Sequence, residues 1–465
     1  MEQRMKYLAC QLAAVESAMP LGITGQVQGI GGLTIEARDL PLPVGSICQI
    51  NSFGGNSSLA EVIGFAQDRT LLMPLHNGGG IARGDAVRNV TTSLSIHCSN
   101  RMLGRVLNGL GQPIDGKPPL PMGQLRPLDA KAVAPLRRRN IDSPIATSVR
   151  CVDALHTCGM GQRMGIFSGP GVGKTMLMAQ IARNTSAQVS VVALIGERGR
   201  EVQEFLQRNL GEEGMRRCVV IVSTSEEAPL LRVRSAKTAC AIAEFFRDQG
   251  KDVLLLVDSL TRMCHAQRQI GLAAREPPAT KGFPPSVFSL LPEILERAGR
   301  TENGSITGFY TVLVEGDDFN EPIPDAVKGI VDGHLWLNRA LANRGHFPAV
   351  DVLQSISRVR GDVTEREQLR QAARVLALLA VYQDIEDLVN IGAYVAGVNP
   401  EFDLAVQARP RILKFLQQEA TAPTTLEQSR NQLAELSAWI EQLEKSLAAA
   451  AAKKQPARPA AAGAK

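Results

Sequence analysis

The stretch Ser168-Gly169-Pro170-Gly171-Val172-Gly173-Lys174-Thr175 lies between an apolar run at 164–167 and a segment whose Leu177 and Ile181 share one helical face. A strand, a glycine-rich turn and a helix in that order form a cradle for phosphate. Glycines 169, 171 and 173 let successive backbone N–H groups converge on an anion, and the helix N-terminus adds its positive end. Lys174 can reach the terminal phosphates of a nucleotide and Thr175 can ligate Mg²⁺. Val172 and Met176 join the glycines as candidate nucleotide contacts. The usual pattern opens with glycine where this chain has Ser168, a strand-end position where a small residue suffices. A flexible turn beside a surface lysine is the plain alternative, and the coincidence of strand, glycines, Lys-Thr and helix argues against it.

Outward from the cradle, apolar runs at 189–195, 218–222, 253–257 and 309–314 alternate with helical segments. Continuous Val/Ile/Leu runs separated by helices imply a parallel sheet covered on both faces, an α/β core. Ligands on such sheets gather beyond the carboxyl ends of the strands. Two carboxylates fall there. Asp258 ends the run 253–257 and would orient Mg²⁺ or its water. Glu197 follows the run 189–195 within Gly196-Glu197-Arg198-Gly199-Arg200-Glu201, where it can polarise an attacking water; a solvated Glu/Arg turn is the alternative. Arg198 is a further candidate nucleotide contact and Glu201 a further candidate metal ligand.

The chain has 465 residues, enough for two or three domains, with 44% apolar and 21% charged residues as in ordinary soluble proteins. Its net charge of +5 owes much to Lys453, Lys454, Arg458 and Lys465 in a Pro/Ala-rich tail. A nearly neutral body with only 4% aromatic residues offers little to nucleic acid, so none is expected as a partner. Eight scattered cysteines without a C-x-x-C pair suggest buried thiols in a reducing compartment. The first segment carries charges among its apolar residues and lacks a secretory core, and no run is long enough to span a membrane. A cytoplasmic location follows as the expectation.

Ahead of the core, Met5, Leu8, Leu12 and Val15 have helical spacing, so residues 1–19 read as an amphipathic helix that either docks a partner or caps the next domain. Short alternating runs with glycine turns across 20–95 suggest a small β-barrel, read as a collar holding subunits together rather than an oligonucleotide binder. A turn-rich connecting stretch follows, and Arg137, Arg138 and Arg139 read as a solvated charge run. The core with its connector covers 96–365. Residues 366–452 are helical, and Leu426, Leu433, Leu436, Ile440, Leu443 and Leu447 form a heptad seam, expected to pack on its own domain rather than as an independent coiled coil. Residues 453–465 read as a disordered basic tail.

The runs Asp258-Ser259-Leu260-Thr261-Arg262, Glu276-Pro277-Pro278-Ala279-Thr280-Lys281-Gly282-Phe283-Pro284-Pro285-Ser286 and Leu295-Glu296-Arg297-Ala298-Gly299 closely resemble the hexameric rotary-type ATPases. Val314-Glu315-Gly316-Asp317-Asp318 with Asp332-Gly333-His334 resembles the ATPases of type III protein export, flagellar and injectisome, more than the ATP synthase catalytic subunit. The resemblance covers roughly residues 20–420. It implies a RecA-like core, ATP and Mg²⁺ as cofactors, Glu197 as catalytic carboxylate, Lys174 and Thr175 as phosphate and metal ligands, and Asp258 as the Mg²⁺-organising acid. It also makes Phe347, in Gly345-His346-Phe347-Pro348-Ala349-Val350-Asp351, the ring that packs on adenine, and Arg358, in Ser355-Ile356-Ser357-Arg358-Val359, an arginine finger for the neighbouring subunit.

Because one chain carries both Glu197 and Arg358, a homohexamer is expected. The implied partners are a stator-like regulator at the amino-terminal helix, a coiled-coil stalk protein, a membrane export gate and cargo–chaperone complexes, with the ring peripheral to the inner membrane. Flagellar export is the leading expectation, ahead of an injectisome ATPase. An ATP synthase or vacuolar-type subunit, an RNA-tracking hexameric helicase and an inactive scaffold are the remaining alternatives.

Overall fold

The computed structural model describes residues 22–52, 55–76, 79–314 and 321–454. The expected amino-terminal helix, the acidic positions 315–318 and the tail beyond 454 lie outside the described residues.

Six strands, β1 (Thr24–Gly31), β2 (Thr34–Arg38), β3 (Ile47–Asn51), β4 (Ser57–Ala66), β5 (Arg69–Pro74) and β6 (Ala86–Thr91), close into a barrel in the order β1-β2-β5-β4-β3-β6. Alternation along each strand turns Val27, Ile35, Ala37, Ile50, Val62, Leu72 and Val87 inward to a small core of their own. Barrel residues Ile47, Met73 and Leu75 join the core of the next layer instead. An Arg234–Glu61 ion pair, its arginine nearly buried, fixes the barrel to the body.

The body is a nine-stranded sheet. Eight of its strands, β7 (Arg105–Leu107), β8 (Arg163–Ser168), β9 (Val189–Glu197), β10 (Cys218–Thr224), β11 (Asp252–Asp258), β12 (Ser305–Leu313), β13 (Gly333–Leu337) and β14 (Val350–Ser357), lie in the order β14-β13-β8-β12-β11-β9-β10-β7, and the ninth is Gly299–Arg300. All neighbours are parallel except β13 and β14, and Gly299–Arg300 adds a short antiparallel pairing on β12. Successive side chains of β11 enter opposite layers, Val253, Leu255 and Val257 one core and Leu254 and Leu256 the other. This explains why such strands read as unbroken apolar runs.

On the first face lie α3 (Pro229–Arg247) and α4 (Leu260–Ala273), with Ile242, Phe246 and Met263 in the core. The second face is covered by α1 (Arg150–Leu155) and α2 (Lys174–Asn184), whose Leu177 and Ile181 are buried as their spacing predicts, and by three carboxy-terminal helices. These are α5 (Arg366–Asn390), α6 (Pro400–Leu416) and α7 (Leu426–Lys454). The seam of α7 packs on its own chain, with Leu433, Leu436 and Ile440 buried.

Three sequence readings change. β7 arises inside the turn-rich connector, where Arg105 pairs with Asp115 at 2.6 Å and the strand hydrogen-bonds to β10. β13 and β14 extend the sheet beyond the five strands expected. Arg138 is no solvated charge: its guanidinium donates to the carbonyls of Val133, Ala298 and Glu296 at 3.2, 3.0 and 2.5 Å and pairs with the Glu296 carboxylate at 3.0 Å.

Candidate active site

The cradle sits at the carboxyl edge of the parallel strands. β8 ends at buried Ser168, α2 begins at Lys174, and Gly171 and Gly173 between them have φ of 78° and 89°. Only glycine adopts such angles freely. A side chain at 173 would also touch the Phe347 ring, whose Cε1 lies 3.4 Å from where a Cβ would stand. Thr175 and Met176 are exposed in the first turn of α2, whereas Val172 is buried.

Neighbouring strands bring their acids to the same edge. Lys174 Nζ donates to Asp258 Oδ1 at 2.5 Å and stands 3.9 Å from Glu197 Oε1. Asp258 Oδ1 also accepts from Thr311 Oγ1 at 2.7 Å, because the pairing of Val257 with Tyr310 places the next residues side by side. Glu197 is buried and hydrogen-bonded to Glu201. Burial first, then that bond and the charge of Asp258, push the Glu197 carboxyl up to about 7, while the same bond holds Glu201 below its ordinary value. Arg262 completes the group: it pairs with Glu197 Oε2 at 3.4 Å and donates to the carbonyl of Gly196. Gly196, at φ 71°, leaves room for it, since a Cβ there would lie 2.9 Å from Arg262 Cδ.

Beside the cradle is a cleft of about 240 Å³ lined by Val172, Met176, Leu337, Phe347, Gln418 and Ala420, among others. Phe347 is 47% exposed, and the backbone N–H of Gln418 donates to its carbonyl at 2.9 Å. An apolar slot with one free aromatic face suits a planar base. Arg198 is exposed and stands 3.8 Å from Glu201.

Lys174, Glu197, Glu201 and Asp258 thus converge, with Thr175 next to Lys174 at the start of α2 and Phe347 close by. Arg358 does not join them. Val350 and Ser168 both pair with Leu337, whereas Ser357 pairs with Gly333 at the opposite end. β14 bulges against β13 between these pairs, so the separation follows β13. The span from Asp332, which binds the Arg358 N–H, to Leu337, at about 3.3 Å per residue, puts Arg358 roughly 16 Å from the edge that holds its own cradle.

Sequence reasoning gave Arg262 no role, missed Thr311, and missed Gln418 and Ala420. A lone polar residue in the apolar run 309–314 was a usable signal for Thr311. Nothing in the sequence brings 418–420 to the cleft.

The residues present fit Mg²⁺. A hydroxyl, nearby carboxylates and room for water are hard oxygen donors, and Mg²⁺ at nucleotide sites needs few protein ligands because phosphate and water supply the rest. Among the described residues there is no cluster of three or more acidic, His or Cys side chains able to hold a metal alone.

Fold and site define a nucleotide-hydrolysing ATPase. Residues 148–357 match the ATP synthase alpha/beta family, nucleotide-binding domain, and residues 364–435 match the T3SS EscN ATPase C-terminal domain. A flagellum-specific ATP synthase of Bacillus subtilis (strain 168) is 48% identical over 87% of this chain and 93% of its own. A type 3 secretion system ATPase of Pseudomonas syringae pv. syringae is 43% identical over 90% and 94%. The assembled ATPase EscN of the enteropathogenic E. coli type III secretion system superposes with a TM-score of 0.84 at 43% identity, covering 89% of this chain and all of that one. EscN in complex with its central stalk EscO gives 0.82 at 42% identity over 89% of this chain and all of EscN. The chain belongs to the family of flagellum-specific ATP synthases and type 3 secretion system ATPases.

Proposed function

We propose that this protein hydrolyses ATP to energise type III export at the flagellum, as a homohexamer in which each site is completed by Arg358 of the next subunit. The distance between Arg358 and its own cradle carries this reading. A cation fixed at the far end of the sheet, with no hydrogen bond or ion pair to its guanidinium among the described residues, is placed to serve another copy.

The backbone N–H groups of Gly169, Gly171 and Gly173 hold the phosphates, and Lys174 leaves Asp258 for the terminal phosphate. Thr175, Asp258 and Glu201 would hold Mg²⁺, which when bound would neutralise phosphate charge. Phe347 stacks on adenine above Val172 and Met176, and Arg198 lies at the rim. Glu197 orients the water and accepts its proton. Phosphoryl transfer needs mainly such positioning and charge stabilisation.

EscN has been solved assembled and with a central stalk, which supports a ring with a coiled-coil stalk here. Residues 1–19 bind the stator-like regulator, and the carboxy-terminal helices face the export gate and cargo–chaperone complexes. No helix among the described residues is long and apolar enough to cross a membrane, in keeping with a cytoplasmic ring peripheral to the inner membrane. In favour of the flagellar branch, flagellum-specific relatives of Bacillus and Treponema reach 48% and 50% identity against 43% to 45% for the secretion ATPases, while those of Caulobacter and Borreliella stand at 44% and 41%.

An arginine finger contributes about 10³ to 10⁵ in rate, roughly 4–7 kcal/mol of barrier. Arg358→Ala should therefore slow turnover by at least about 10³ while nucleotide affinity holds within about twofold. Equilibrium binding of a fluorescent ATP analogue beside steady-state hydrolysis decides it. Unimpaired turnover rejects the in-trans role.

A further inference from the structure

The tip of Arg358 is free, but its root is not. Its backbone N–H donates to the carbonyl of Asp332 at 2.9 Å. The preceding Ser357 donates through Oγ to the carbonyl of Thr157 at 2.9 Å and accepts from Gln162 Nε2 at 3.1 Å. Gln162 Nε2 also reaches the Asp332 carbonyl at 3.2 Å. Two consecutive residues, Ser357 and Arg358, are thereby hooked into the turn that feeds β8.

Asp332 is held in turn by Arg163, the first residue of β8. Its N–H donates to the Arg163 carbonyl at 2.9 Å, and its carboxylate accepts from the Arg163 backbone N–H at 3.0 Å. Arg163 Nε and Nη2 then donate to the two carboxylate oxygens, each at 2.9 Å. Four hydrogen bonds join one pair of residues, two of them a bidentate charge-assisted set that fixes direction as well as distance. The remaining arm of Arg163 pairs with Glu296, which Arg138 holds from the other side at 3.0 Å. The carboxylate end of Asp332 is therefore committed to Arg163, and its carbonyl end to the residue that carries the finger.

We infer that the Arg163–Asp332 pair is a positioning clamp for Arg358, fixing the root of a side chain whose tip works in the neighbouring subunit. The inference rests on the in-trans reading of Arg358. Neither clamp residue touches nucleotide. Both lie at the amino edge of the sheet, a strand length from the cradle that β8 leads into. The Arg358 N–H bond continues the antiparallel pairing of β13 with β14 at Gly333 and Ser357, so the carbonyl that anchors the finger belongs to the residue whose side chain Arg163 holds. Transition-state charge stabilisation is sensitive to ångström-scale misplacement, which can cost about 10²-fold in rate, so loosening the root acts on turnover rather than on binding.

The experiment compares Asp332→Asn and Arg163→Lys, each alone and combined with Arg358→Ala, in the full chain. Turnover is followed by release of labelled phosphate so that residual rates stay measurable, and folding and ring assembly are checked by thermal melting and sedimentation. Each clamp substitution should lower kcat about 10- to 100-fold with nucleotide affinity within about twofold. In the Arg358→Ala background the same substitutions should lower the residual rate less than about twofold, because a clamp has nothing left to position. Losses that multiply in that background, a parallel fall in nucleotide affinity, or an unchanged kcat would each overturn the clamp. If Arg358→Ala itself turns over normally, the finger reading fails. If Arg358→Ala is slow and the clamp variants are not, the finger stands and only the clamp is wrong.

Discussion

Glu197 is the residue at which burial becomes chemistry. Only its ionised form can take a proton from water, yet burial and the Glu201 bond keep it protonated up to about pH 7 in the free site. Since kcat/KM reports the free enzyme, it should climb with pH through about 7 and then level off. In folding terms the native state holds a proton between pH 4.5 and about 7 that the unfolded chain has released, so this group's contribution to stability falls as pH rises across that window. Glu201→Gln removes one cause of the raised value and should move the kcat/KM inflection to lower pH. A flat profile across neutrality in wild type, or an inflection that Glu201→Gln leaves in place, would show that Glu197 does not set the limb. Asp258 abuts the run 253–257, Glu197 follows the run 189–195 after one glycine, and Lys174 ends the glycine turn that follows the run 164–167, so all three were legible in the sequence. Thr311 and the work of Arg262 were not, because they reach the site through space: Thr311 by register with β11, Arg262 by passing over the missing side chain of Gly196.

Among the elements, the heptad seam of α7 separates two ways of covering apolar surface. Leu433 and Ile440 are fully buried against α5, α6 and α1, while Leu443 and Leu447 are only half-buried toward the end of the helix. Ile440→Ala should cost about 2–5 kcal/mol, transfer and cavity together, and Leu447→Ala distinctly less. Urea unfolding of the two variants makes the comparison. Equal, small losses would mean that the seam is covered by another chain rather than by its own domain. Periodicity exposed α7 and the central strands readily, since a run of one period needs no knowledge of its neighbours. β7 and β14 escaped for the opposite reason. β7 is a three-residue strand among turn residues that pairs only because β10 offers it an edge, and β14 carries alternating burial that suits an antiparallel sheet margin rather than a buried centre. Arg138 read as one of three like charges until its carbonyl partners, about 160 residues away in sequence, came into view.

For the molecule as a whole, the active site as proposed is divided between the two edges of one sheet, and a single copy cannot close it. Around Arg358 lies an open groove of about 890 Å³ in which Ile356 and Leu369 meet Arg360 and Arg370. Ile356 is 46% exposed there. A rim of apolar and cationic side chains around an exposed arginine suits the acid-bearing cradle edge of another copy, and head-to-tail repetition of that contact closes a ring when the rotation allows. On the proposed in-trans reading, nucleotide binding needs one chain and hydrolysis needs two. Turnover per chain should therefore fall steeply as the protein is diluted below its assembly range, while the affinity of each chain for nucleotide stays constant. Light scattering, nucleotide titration and phosphate release over one dilution series test the point together. Because the finger supplies about 10³ or more in rate, a dispersed preparation should be nearly inactive rather than partly slowed. Monomers that turn over at the rate of the assembled protein would require a cation from the same chain at the cradle, and the length of β8 from Arg163 to Ser168, roughly 16 Å, keeps Arg358 from providing it.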